Sequence, residues 1–149
     1  MKIPLLMTVL LGACGPLPRC ITRAGLELQP SAPAGWTCEK LQHAEDATLK
    51  AVAGISTFDP RFPDAAKALA GWRVHVLPTT SWVDEQGIEV AGLTYCGTAT
   101  ICVGNPDPIH GALAHELIHV IQKCVASTTS KDPHADWAPV IYDAIESVK

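Results

Sequence analysis

The sequence predicts an α+β domain in which a small, mostly antiparallel sheet packs on helices. Three observations support this prediction. One helical pattern comes first, three segments of strand character follow, and two helical patterns close the chain. A length of 149 residues suits one domain with one core, and an aromatic content of 5% indicates a core built from Leu, Ile, Val and Ala.

The first residues are typical of an export signal rather than of a folded domain. Lys2 precedes the apolar stretch Ile3 to Leu11, and small residues then lead directly to Cys14. This pattern resembles a bacterial lipobox, which predicts a signal peptide over residues 1–13 and a lipid on Cys14 that attaches the protein to a membrane. An ordinary secretory signal cut near the same place is the alternative. Both interpretations place the protein outside the cytoplasm, in the bacterial cell envelope or secreted.

The sequence order then assigns the tether and the first helices. Residues 14–35 contain several prolines and are predicted to link the lipid to a domain over residues 36–149. Thr37 can cap a helix covering Cys38 to Ala53, because its hydroxyl can accept a hydrogen bond from the first helical turn. A second, short helix is predicted over Asp64 to Ala70.

Three segments follow with strand character. Trp72 to Leu77 and Ile88 to Tyr95 alternate between apolar and polar residues, and Thr100 to Val103 continues the pattern. A turn is predicted at Glu85 to Gly87. The last helix is predicted from about His134 to Val148, after a polar loop.

The stretch before that loop carries the clearest chemistry. Residues His115 and His119 flank Glu116 in an H-E-x-x-H arrangement. Residues four apart lie on nearly the same face of a helix, so both imidazoles can bind a single metal ion. Zinc suits neutral imidazole ligands, and Glu116 is placed to take a proton from water at the metal. These residues predict zinc-dependent hydrolysis with Glu116 as general base.

The surrounding sequence supports a helix at this position. Leu113, Leu117 and Val120 recur at helical spacing, and two prolines lie shortly before Ile109, where the helix is expected to begin. Apolar residues also occupy its flanks, so the helix is expected to be buried on most sides. Polar side chains at buried positions need partners, which a metal would supply. The alternative interpretation is two core histidines with ordinary hydrogen bonds.

A catalytic zinc ion usually has three protein ligands, so a third is needed. His134 is favoured, because it begins the next helix after a loop long enough to bring that helix beside the first. Asp136 and Glu146 on the same helix remain alternatives.

Six cysteines in an exported chain indicate disulfide bonds. Cys96 and Cys102 flank a short turn and could form a bond across a hairpin. Cys38 and Cys124 could join two helices. The sequence does not prove either connectivity.

The motif and the segment that follows it resemble the zincin metallopeptidases, and within them the minimal SprT-like domain. The resemblance covers about Trp72 to Val148 and depends on the H-E-x-x-H motif together with His134-Ala135-Asp136-Trp137. It implies a minimal zincin-like fold, a Zn²⁺ cofactor and a peptide or protein substrate. It also implies an edge strand beside the cleft for extended substrate, which the Tyr95 to Val103 region could supply.

Two classes of function therefore follow from the sequence. The first is a zinc metallopeptidase, and the second is a non-catalytic exported binding or inhibitory module that keeps a zincin-like zinc site. An intact Glu116 favours the peptidase, since a structural zinc site needs no general base. The net charge of −4 provides no basic surface, so nucleic acid is not an expected partner.

Overall fold

The computed structural model describes residues 19–56, 65–105, 111–125 and 133–148. Four α-helices occur in these ranges, and they are α1 (Cys38–Ser56), α2 (Ala65–Leu69), α3 (Ala112–His119) and α4 (Pro133–Ser147). The strands are β1 (Cys20–Ile21), β2 (Glu27–Leu28), β3 (Arg73–Val76), β4 (Trp82–Val83), β5 (Glu89–Val90), β6 (Gly92–Tyr95) and β7 (Thr100–Val103). Helix α3 continues into a wider π-helical turn, Val120–Val125.

Five strands form one mixed sheet in the order β1-β2-β3-β7-β6. Both edges pair antiparallel, whereas the central pairs β2–β3 and β3–β7 are parallel. A parallel pair requires a long connection, and α1 and α2 provide it between β2 and β3. Strands β4 and β5 form a separate antiparallel hairpin. The predicted α+β class is confirmed, with a sheet that is antiparallel at its edges and parallel at its centre.

The core lies between one face of the sheet and the helices. Val74 and Val76 of β3 and Ile101 and Val103 of β7 are buried, while the residues between them are only partly buried. This alternation is the period of a strand with one covered face. Helix α3 packs against β6, β7, α1 and α4, which explains why it is apolar on most sides.

The folded domain includes part of the segment that was expected to be a linker. Strands β1 and β2 belong to the sheet, and Leu26 and Leu28 are in the core. The assignment of residues 14–35 to a tether is therefore wrong from Cys20 onward. The physical reason is that Pro30 follows β2 and does not interrupt it, so Leu26 and Leu28 can occupy the core.

The buried side chain of Glu45 on α1 holds this N-terminal segment against the helix. Its carboxylate is 1% exposed and accepts hydrogen bonds from the Thr22 hydroxyl, the Ala24 N–H (3.0 Å) and the Gln42 side-chain amide (2.8 Å). Burial of a carboxylate is costly unless hydrogen bonds replace its hydration. Here these donors come from both the N-terminal segment and α1, so the two parts are held together.

Two disulfide bonds occur among the described residues, and neither pairing was the expected one. Cys20 bonds to Cys38, and Cys96 bonds to Cys124. The strand register excludes a Cys96–Cys102 bond. Cys102 of β7 pairs with Leu93 of β6, and Cys96 lies three residues beyond Leu93 in the chain, which is about 10 Å along an extended strand. This separation is too large for a disulfide, whose two Cα atoms lie within about 7 Å of each other. Cys38–Cys124 fails because each of these cysteines has another partner.

Outside the described ranges lie the predicted signal peptide and Cys14. Within those ranges, no helix is long and apolar enough to cross a membrane. The two disulfides are consistent with an oxidising extracellular environment.

Candidate metal centre

Three histidine side chains converge where α3 meets the start of α4. The Nε2 atoms of His115 and His119 are 2.8 Å apart, and each is 3.2 Å from Nε2 of His134. His115 and His119 share one face of α3 because they are one turn apart. His134 is the second residue of α4 and reaches the same point from the neighbouring helix. The structure thus brings together the three residues that the sequence predicted as ligands.

The cluster fits the geometry of a bound metal ion. Ligand nitrogens at 2.0–2.1 Å from a tetrahedral zinc ion are separated by about 3.3 Å. The observed separations of 2.8 and 3.2 Å are within about half an ångström of that value. All three contacts use the same ring atom, Nε2, so the three ligand atoms lie together. The group can therefore hold a metal ion.

The surroundings of His115 favour its neutral imidazole form. The pKa of His115 is lowered to about 4, first by burial and then by the neighbouring His119 and His134. A histidine binds a metal through the lone pair of its neutral ring. His115 is therefore ready to act as a ligand near neutral pH without first losing a proton.

Gln122 orients the second histidine of the motif. Its side chain is completely buried, and its Oε1 lies 3.2 Å from Nδ1 of His119. A carbonyl oxygen accepts a hydrogen bond, so Nδ1 carries the proton and the lone pair of Nε2 faces the cluster. Sequence reasoning did not assign this role to Gln122. An amide three residues after a ligand on the same helix was the available signal.

Glu116 does not join the histidine cluster but contacts the neighbouring edge strand. It is 6% exposed, and its Oε2 accepts a hydrogen bond of 2.6 Å from the Thr94 hydroxyl on β6. The negative charge of this carboxylate also influences the thiol of Cys102 on β7, which is not in a disulfide. Burial, and then the charge of Glu116, raise the pKa of the Cys102 thiol.

A cleft of about 340 Å³ lies beside the histidines. Strand β6 forms one wall, and α3 and α4 form the other. Gly111 allows the two helices to approach closely, because a Cβ at this position would lie 2.7 Å from Cγ2 of Ile145. The lining is mostly apolar apart from the histidines, Glu116 and Thr94.

The edge strand beside this cleft is not the segment that was expected. The Tyr95 to Val103 region was suggested for this place, but only Tyr95 of that region belongs to the edge strand, because β7 is interior, between β3 and β6. The edge is β6, Gly92–Tyr95, which pairs with β7 on one side only within the described sheet. The free side of β6 is therefore available for pairing with an extended chain along the cleft.

Of the two alternative third ligands, Glu146 is excluded from the cluster and Asp136 is not tested. Glu146 is exposed and lies twelve residues after His134, which is about 18 Å along a helix, so it is not in the cluster. The side chain of Asp136 lies outside the described residues.

Comparison of the chain with protein-family models, with curated proteins and with solved structures finds no match.

Proposed function

We propose that the protein is a zinc-dependent peptidase. The observation that carries the proposal is the convergence of three histidine Nε2 atoms within 3.2 Å of one another, with a buried glutamate next to one of them in the chain. Three protein ligands that leave a fourth position open are typical of a catalytic zinc site, whereas structural sites are closed by four ligands. The all-imidazole ligand set also favours zinc over the oxygen-preferring ions Mg²⁺ and Ca²⁺.

The proposed substrate is an extended peptide or protein segment. An exposed sheet edge binds extended chains through main-chain hydrogen bonds, and β6 forms one wall of the cleft. A cleft with a mostly apolar lining accommodates side chains of such a segment. These features support a polypeptide substrate.

The proposed reaction is hydrolysis of a peptide bond. When bound, zinc would polarise the scissile carbonyl and lower the pKa of a water molecule. His115, His119 and His134 would hold the ion, and Gln122 would keep His119 in the tautomer that binds it. Glu116 would accept a proton from the attacking water and deliver it to the leaving amine. The carbon–nitrogen bond breaks, the water oxygen remains on the carbonyl carbon, and the proton is transferred to the nitrogen.

We further propose that the protein works outside the cytoplasm of a bacterium, attached to a membrane by a lipid on Cys14. The lipobox-like sequence before Cys14 supports the anchor. The two disulfides support an oxidising compartment.

One experiment tests the metal, the base and the activity together. Metal content and hydrolysis of a denatured protein substrate are measured for the wild type, with and without a chelator. Glu116→Gln should keep about one zinc per chain but reduce turnover by about 10²- to 10⁴-fold, because it removes the general base and no ligand. His115→Ala should lose both metal and turnover.

His43→Ala is the matched control, since His43 is exposed on α1, far from the cluster in sequence. It should behave as the wild type. Zinc binding without hydrolysis by the wild type would instead support the non-catalytic binding or inhibitory module. Zinc occupancy below about a tenth per chain after reconstitution would reject the metal site itself.

A further inference from the structure

The carboxylate of Glu116 lies against two residues of the edge strand. The Thr94 hydroxyl donates to Oε2 at 2.6 Å and also lies 3.2 Å from the main-chain carbonyl of Glu116. At Gly92, a Cβ would lie 2.7 Å from Cγ and 2.8 Å from Oε1 of Glu116. We call Gly92 and Thr94 together the carboxylate seat.

The two residues of the seat make different contributions. Residues two apart on a strand face the same side of the sheet, so Gly92 and Thr94 both face α3. Gly92 provides space, because any side chain there would overlap the glutamate. Thr94 provides direction, because a hydroxyl hydrogen bond to a carboxylate is strong and depends on angle. Glu116 can rotate about three side-chain bonds when unrestrained, and contacts with the seat reduce the number of orientations open to it.

We propose that Gly92 and Thr94 are positioning residues that hold Glu116 in the orientation its chemistry requires. This inference rests on the proposed peptidase function, in which Glu116 is the general base. A base must lie within hydrogen-bond reach of the proton that it accepts, so misplacement by about 1 Å can reduce the rate about 100-fold. The seat also belongs to the strand that would bind substrate, so the same strand sets the positions of the substrate and the base.

The Thr94 hydrogen bond is tested by two substitutions. Thr94→Val keeps the branched shape but removes the donor, and should lower kcat at least tenfold while KM and zinc affinity stay within about twofold. Thr94→Ser restores the hydroxyl and should recover most of the lost rate. Thr100→Val is the matched control, because Thr100 pairs with Tyr95 and its hydroxyl donates to the Thr98 carbonyl, away from Glu116. Equal kcat in Thr94→Val and the wild type would overturn the assignment of Thr94.

The space at Gly92 is tested in the same way. Gly92→Ala should displace Glu116 and lower kcat at least tenfold, with zinc still bound through the histidines. Gly97→Ala is the control, because a Cβ on Gly97 would meet no atom within 4 Å. A Gly92→Ala enzyme with wild-type kcat would overturn the role of Gly92.

Urea unfolding of the metal-free protein provides a readout that does not require activity. Thr94→Val should lower the unfolding midpoint more in the wild type than in a Glu116→Ala background, where the carboxylate is absent and only the longer contact of 3.2 Å to the main-chain carbonyl of residue 116 remains. Equal effects in both backgrounds would mean that Thr94 acts elsewhere, and would overturn the inference. Loss of turnover in Glu116→Gln alongside full activity in Thr94→Val would reject the seat alone. Full activity in Glu116→Gln would instead reject the proposed function.

Discussion

Gln122→Leu should weaken metal binding even though Gln122 is not a ligand. The Oε1 atom of Gln122 lies 3.2 Å from Nδ1 of His119 and fixes which nitrogen of that ring carries the proton. Without this acceptor the ring can rotate, and it can also place its proton on Nε2, where it blocks the metal. Leucine is close to glutamine in size, so the completely buried site stays filled.

The expected loss follows from the length of this hydrogen bond. Removal of a residue that orients a metal ligand typically costs 10- to 100-fold in affinity. A separation of 3.2 Å is at the long end of N–H···O hydrogen bonds, whose distances centre near 2.9–3.0 Å. We therefore expect the lower end of the range, a loss of about tenfold, which corresponds to about 1.4 kcal/mol of binding free energy.

Competition with a chromophoric chelator measures this affinity directly. Gln122→Glu is the informative companion, because a carboxylate still accepts the hydrogen bond and should keep the affinity at the wild-type value or above it. Unfolding of the metal-free variants must be measured in parallel, since a loss of folding would imitate a loss of affinity. If Gln122→Leu binds zinc within twofold of the wild type, the orienting role of Gln122 is refuted.

Three other predictions concern the ligands, pH and the anchor. His134→Ala should lower zinc affinity by more than 100-fold, and chelator competition should find smaller losses for Asp136→Ala and Glu146→Ala; loss of metal only in Glu146→Ala would exclude His134 as the ligand. Because the pKa of His115 is lowered to about 4 in the folded state, the unfolded chain takes up its proton first as pH falls below about 6.5. The metal-free protein should therefore lose stability between about pH 6.5 and 4, and urea unfolding should show a shallower pH dependence in His115→Gln; an unchanged dependence would contradict the shift. Labelling with a palmitate analogue should mark the wild type and not Cys14→Ser, whereas absence of label in both would favour a secreted protein.

The sequence predicted the features that depend on local spacing. His115 and His119 were placed on one helix face because four residues make about one helical turn, and their convergence is confirmed. The presence of His134 in the cluster is also confirmed. It followed from a loop long enough to return the chain, combined with a ligand-type residue at the helix start.

The missed features depend on contacts between distant segments. Nothing local to Gly92 or Thr94 shows that α3 will pack on them, because 22 residues separate Thr94 from Glu116. Similarly, Ile88 to Tyr95 alternates as one strand but is divided between two sheets, since β5 pairs with β4 and β6 pairs with β7. Pairing partners decide such breaks, and a strand pattern contains no information about its partner.

The disulfides and the N-terminal strands were missed for the same reason. Cysteine spacing permits several connectivities, and only the folded sheet shows that Cys20 lies beside Cys38. Strands of two residues, such as β1 and β2, are too short to produce a recognisable alternation. The prolines after them were the stronger local signal, and they favoured a linker.

If Cys14 carries the proposed lipid, the early start of the sheet limits the distance between the domain and the membrane. With a lipid on Cys14, six residues (20 − 14) separate the anchor from Cys20, where β1 begins. A fully extended chain covers at most about 3.6 Å per residue, so this connecting segment is no longer than about 22 Å. The Cys20–Cys38 bond attaches the end of this connecting segment to α1. With the proposed anchor, the domain would therefore stay within a thin layer at the bilayer surface and would meet polypeptides that are themselves close to lipid.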